Sequence, residues 1–216
     1  MAKNSGATTF IIFVAIVGLV LGGLILAAPP KTEQGATDTS SQNPTQVLED
    51  PNLINRNDAP IIGAKDAKVK IAVFTDYLCS YCVKLHESLN SILSNYSTDV
   101  SIEIRHFIVH PEAQIMAQAA YAANLQGKFK EANDLIFAKY QEGTEDNMVK
   151  MAQELKLNVD KFKTDMTSES AKNHVDKDSS DAQSLGLGGT PSVFVNNKYL
   201  EDSSTLEENI KTTLGK

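Results

Sequence analysis

Cys79 and Cys82 are the only two cysteines among 216 residues, and Ser80 and Tyr81 stand between them. Two cysteines at that spacing at the start of a helix lie one turn apart on nearly the same face. Their sulfurs can close into a disulfide with little rearrangement. The first of them sits where unsatisfied N–H groups and the helix dipole gather partial positive charge, which favours thiolate and lowers its pKa below the free value of about 8.5. Thiolate is the species that attacks a disulfide. The pair therefore predicts thiol–disulfide exchange, with Cys79 as an exposed nucleophile and Cys82, one turn further in, as the resolving thiol. The competing chemistry is half a zinc site, which needs two further ligands. His86, His106, His110 and His174 are the only histidines, and they lack paired spacing. Of these only His86, on the same helix face as Cys82, could join such a site. No metal is expected, and no cysteine is left over for a structural disulfide.

The elements that must hold the pair are legible on either side of it. Residues 69–75 (VKIAVFT) are a β-branched and aromatic run that reads as a buried strand. A helix should follow from Cys79 or Ser80 to about residue 93, with Leu85, Leu89 and Leu93 as its apolar stripe. Residues 100–109 read as a second strand. From 111 to about 185 the pattern is helical, with Pro111 suited to a helix start and segments at 113–125, 129–140, 145–155, 159–166 and 171–185. The strand period then returns at 191–195, and Asn196-Asn197 signals a hairpin to a return strand at 198–200. A last helix is capped by Ser203 or Ser204. Strand, helix, strand, helical block, two strands and helix imply a mixed α/β sheet with helices on its faces. Thr190-Pro191 opens the later strand, where a proline need not donate to the ladder.

The amino-terminal part has a different character. Between Lys3 and Lys31 no residue is charged, and residues 10–28 are almost pure hydrocarbon. That length approaches the roughly 20 residues of a membrane-spanning helix. A cleaved signal peptide would have a shorter apolar region and a small residue where Leu26 stands. The sequence thus predicts an uncleaved anchor at 1–28, single-pass in the cell membrane with its amino terminus cytoplasmic and the remainder extracytoplasmic. Residues 29–57, rich in Pro, Ser, Thr, Gln and Asp, read as a flexible linker. The folded body is expected over 58–216. Its partners are not nucleic acids, because a net charge of −7 repels phosphate backbones.

Four stretches together carry a resemblance to a known family: residues 58–67 (DAPIIGAKDA), 74–82 (FTDYLCSYC), 105–129 (RHFIVHP followed by QGKF), and 182–195, which contains LGGTPSVFV. With them the body resembles the DsbA-like thiol–disulfide oxidoreductases, particularly the membrane-anchored bacterial group. The resemblance implies a thioredoxin-like fold with an inserted all-helical subdomain at about 111–185, and a cis peptide before Pro191 packed against the disulfide. It implies no cofactor beyond the redox-active cysteine pair. It implies as substrates unfolded or partly folded cysteine-containing exported proteins, and a membrane redox partner, quinone-linked in this family, that recycles the pair. The lipid bilayer, through the N-terminal helix, is a further partner.

Thr190, Pro191 and Tyr81 are the expected substrate-binding residues, and Asp76 and Ser80 are candidates for tuning the thiol pKa values. Ser80 departs from the proline many relatives carry, and Ile108 stands where many have proline. His106 and His110 read as structural polar contacts that could also line the substrate groove. The leading function is the introduction of disulfides into exported proteins. Reductase or isomerase activity is the near alternative, and a non-catalytic peptide-holding module the remote one.

Overall fold

The computed structural model describes residues 47–216. The expected anchor at 1–28 and most of the expected linker lie outside those residues. Among the described residues no helix is long and apolar enough to cross a membrane.

A five-stranded sheet of order β1-β3-β2-β4-β5 forms the centre. Strand β2 (Val69–Thr75) lies between β3 (Val100–His106), with which it runs parallel, and β4 (Ser192–Val195), with which it runs antiparallel. Covered on both faces, β2 has the near-continuous apolar sequence that a central strand requires. Its side chains still divide by alternation: Val69, Ile71 and Val73 join the main core, whereas Ala72 and Phe74 face a second core with Ile54, Ala182, Leu185 and Phe194. β5 (Lys198–Leu200) returns as a hairpin through Asn196 and Asn197, which take positive φ values of 49° and 66°. Asparagine tolerates that left-handed conformation, and the two-residue turn matches the twist of its strands.

Helix α2 (Ser80–Asn95) crosses from β2 to β3, burying Cys82, Leu85, Leu89 and Ile92. Between β3 and β4 the chain makes five helices: α3 (Ala113–Asn124), α4 (Phe129–Lys139), α5 (Glu145–Glu154), α6 (Val159–Met166) and α7 (Glu169–Ser184). Side-chain caps from Thr144, Asn158 and Ser168 start α5, α6 and α7 by accepting backbone N–H groups. A final helix, α8 (Leu206–Leu214), ends at Gly215 in the left-handed conformation.

Four boundaries differ from the sequence reading. Edge strand β1 (Ile61–Gly63), antiparallel to β3, is too short to show a periodic signal. β3 ends at His106 rather than 109, because the N–H groups of Val109 and His110 leave the ladder for the Asp76 carboxylate. Pro111, expected at a helix start, lies in the turn that precedes α3. The last part of the expected linker is packed: α1 (Pro51–Ile54) buries Ile54 completely, and Leu48 N–H bonds Leu185 O at 2.8 Å. Its polar composition hid one apolar residue and one ion pair. Arg56 reaches Asp178 at 2.7 Å, and Asp178 also binds the fully buried Arg105 at 2.6 Å.

Candidate active site

Cys79 is the N-cap of α2, and Cys82 lies in its first turn. Strand β2 ends at Thr75, and the chain turns through Asp76, Tyr77 and Leu78 to deliver Cys79 over the end of the sheet. Contacts of Asp76 and Tyr77 fix that turn. Asp76, fully buried, accepts N–H bonds from Leu78, Val109 and His110, each at 2.8 Å. Its carboxylate also stands 3.2 Å from His110 Nδ1. Tyr77, equally buried, donates its hydroxyl to Asn133 Oδ1 of α4 at 2.8 Å. The turn is thereby tied both to the chain after β3 and to the helical insert.

Both cysteines are free thiols. The expected exposed nucleophile is in fact largely covered: Cys79 is 8% exposed and Cys82 1%. The cover is the loop before β4, which places Thr190 O 3.3 Å from Cys79 Sγ as acceptor of its S–H. The Thr190–Pro191 peptide is cis. A hundred residues of chain separate Thr190 from Cys79, so only the pairing of β2 with β4 brings them together.

The two sulfurs differ electrostatically. Burial alone would raise Cys79, but the Thr190 side chain, the N–H groups of Cys82 and Tyr81 and the Cys82 thiol all bond its anion, and the net pKa falls below the ordinary thiol value. For Cys82 burial wins: bonds from the Thr75 side chain and the Asp76 backbone do not offset it, and the pKa is pushed up to about 12. Cys79 is therefore the more acidic of the two sulfurs, and its neighbour is kept protonated. That polarity within one helical turn is what a nucleophile and a resolving thiol need.

The remaining predicted residues separate into two groups. Tyr81, 69% exposed, and Pro191 line one open groove of about 260 Å³ together with Lys84, Ser88, Ser203 and Ser204. Ser80 is exposed at the first position of α2 and makes no contact with either sulfur among those that set their pKa values. Asp76 meets Cys82 through its backbone, while its carboxylate is spent on the turn. Its geometry is that of a positioning residue. His106 does not make the polar contacts expected of it: both ring nitrogens are buried without a partner, 5.1 Å from the Tyr77 ring between centroids. Burial holds its pKa down at about 4, so the ring is neutral. Thr75, Asn133 and Tyr77 were not singled out by sequence. Thr75 shares the register of His106 across β2 and β3, a relation no local pattern reveals. Among the described residues no three His, Cys, Asp or Glu side chains converge as metal ligands would.

A family model described as Thioredoxin matches residues 55–213. Among curated proteins the chain is 29% identical over 143 residues to the Na(+)/H(+) antiporter NhaA of Herminiimonas arsenicoxydans, covering 66% of this chain and 23% of that one. The chain thus spans about a fifth of the length of the curated relatives it matches. Among solved structures it is similar to a thioredoxin-like oxidoreductase from Silicibacter pomeroyi, with a TM-score of 0.69 and 23% identity over 77% of this chain and 99% of that one. It is also similar to the thiol-disulfide exchange protein alpha-DsbA2 from Wolbachia pipientis, with a TM-score of 0.67 and 15% identity over 74% and 90% of the two chains.

Proposed function

The chain belongs to the thioredoxin family, and from that premise we propose that it is a DsbA-like oxidant, a thiol–disulfide oxidoreductase that passes the Cys79–Cys82 disulfide to exported proteins. The observation that carries the exchange chemistry is the opposite pull on the two thiols, Cys79 down and Cys82 up to about 12. A thiolate stabilised in the reduced protein favours reduction of its disulfide, and low nucleophile pKa accompanies strong oxidants in this fold.

In the reaction a substrate thiolate attacks Cys79 Sγ of the disulfide. The Cys79–Cys82 bond breaks and Cys82 leaves with the electron pair, taking up a proton. A second substrate thiolate then attacks the substrate's own sulfur in the mixed disulfide. Cys79 departs as its stabilised thiolate, the substrate keeps a new disulfide, and two electrons remain on the protein. Thr190 holds Cys79 and, with Pro191 and Tyr81, contacts the extended substrate beside the groove. Reoxidation falls to a membrane redox partner. We assign residues 1–28 to a bilayer anchor that keeps residues 58–216 on the extracytoplasmic side, where disulfides persist.

Equilibration of the cysteine pair against glutathione tests the direction. A potential near about −120 mV marks an oxidant, and one near about −270 mV a reductant and the failure of this proposal.

A further inference from the structure

The leaving thiol poses a problem that the reaction above does not solve. Cys82 is 1% exposed, so bulk water does not deliver or collect its proton freely. The side chains around it offer few alternatives. Below Cys82 lies a cavity lined by Val73, Thr75, Leu85, His86 and Phe137, with about 10 Å³ of room for the centre of a water molecule. That is space for about one water. His86 is the one proton-exchanging side chain, other than Cys82 itself, in that lining.

His86 is also held as a base would be. Its Nε2 lies 3.1 Å from Asp134 Oδ1 of α4, and the ring stacks on Phe137 at 4.5 Å between centroids. The Asn90 amide nitrogen lies 3.0 Å from the same Nε2 and donates to Asp134 Oδ1 at 3.3 Å, and the Asn133 amide nitrogen stands 3.4 Å from Nδ1. Asn133 in turn accepts the Tyr77 hydroxyl. The charged groups around the ring are Asp134 and, bonded to it at 2.6 Å, Lys130. Despite partial burial, bonds from His86, Lys130 and Asn90 keep the Asp134 carboxyl down at about 2, so it stays an anion. In the tautomer that donates Nε2–H to Asp134, Nδ1 carries the ring's lone pair, which can take up a proton in place of the long contact from the Asn133 amide.

We propose that His86, oriented by Asp134, relays the proton of Cys82 through the cavity each time that thiol enters or leaves a disulfide. The inference rests on the oxidoreductase reading of the cysteine pair. When substrate thiolate displaces Cys82, the imidazolium returns a proton to the departing sulfur. In the reverse step Cys82 S–H loses its proton to His86, its thiolate attacks Cys79 Sγ, and the bond from Cys79 to the substrate sulfur breaks, the pair leaving with that sulfur. Sequence had grouped His86 with Cys82 only as partners for zinc. On this proposal the same helix face serves proton transfer, with the Asp134 carboxylate of α4 set against the ring.

A single stopped-flow trace with a dithiobis(nitrobenzoate) reagent and the reduced full chain separates the steps. The first release of thionitrobenzoate reports attack by Cys79, and the second reports closure by Cys82. His86→Gln should leave the first phase unchanged and slow the second about a hundredfold at neutral pH. Added imidazole should restore part of the second-phase rate of His86→Ala. A second phase in His86→Gln with the wild-type rate overturns the relay. Absence of a second phase from the wild type would overturn the oxidoreductase reading itself.

Discussion

Acidifying the chain from pH 6.5 to 4 should withdraw the stability that one residue, His106, contributes. In the unfolded chain its imidazole takes a proton near its ordinary value of 6.5, whereas in the fold burial without a hydrogen-bond partner holds it at about 4. Asp178 and Asp76 raise it a little and His174 and Arg105 lower it, so burial decides. Between those two pH values the unfolded state binds one more proton, and stability therefore falls as pH falls; below about 4 both states are protonated and the loss is complete. A gap of about 2.5 pH units at about 1.4 kcal/mol each gives about 3 kcal/mol.

Glu103 works in the opposite sense. Burial pushes its pKa from 4.5 up to about 7 against the pull of the Arg56 N–H and of Arg105. The folded state binds the extra proton there, so this residue withdraws about 3 kcal/mol as pH rises from 4.5 to 7. In the wild type the two slopes nearly cancel over their common range. His106→Leu should unmask the Glu103 decline, and wild-type stability minus that of the variant should climb by about 3 kcal/mol from pH 4 to 6.5. Urea unfolding of the reduced chain measures this, as a change of about 1.5 M in the difference between midpoints for a slope of about 2 kcal/mol/M. Groups common to both chains drop out of the difference. A difference curve that stays flat from pH 4 to 6.5 would refute the placement of His106 as a neutral, unpartnered buried ring.

Two further outcomes are expected. Thr190→Val removes the side-chain bond to the Cys79 anion while keeping the backbone carbonyl; the pH profile of iodoacetamide alkylation should move upward, and an unmoved profile would leave the helix N–H groups and the Cys82 thiol as its stabilisers. Asp76→Ala strips the acceptor from Leu78, Val109 and His110, which should cost about 3 kcal/mol in denaturant unfolding; a neutral substitution would show that water serves those N–H groups equally well.

Much of the architecture was written in local pattern. The strand before Cys79, the α2 helix and the Asn196-Asn197 hairpin are short-range signals, because the side-chain period and the tolerance of asparagine for positive φ act within a few residues. The helices of the insert declared themselves similarly, and α6 matches its expected bounds at Val159–Met166. The pairing of Cys79 with Cys82 also followed from sequence, since two cysteines at one helical turn leave no other partner for either. Ends of elements were less legible where a distant group settles them, as when the Asp76 carboxylate draws Val109 and His110 out of β3.

Sequence thus determined which two sulfurs are set side by side and on what kind of scaffold. Only tertiary structure decided how far apart their acidities lie. That difference comes from burial and from bonds made by Thr190, over a hundred positions away, and by Thr75. It likewise decided that α4 sets Asp134 against His86 and that His106 is sealed without a partner. Solvation and Coulomb interactions depend on distance in space, and the chain acquires those distances only when the sheet pairs and the helical insert closes over it.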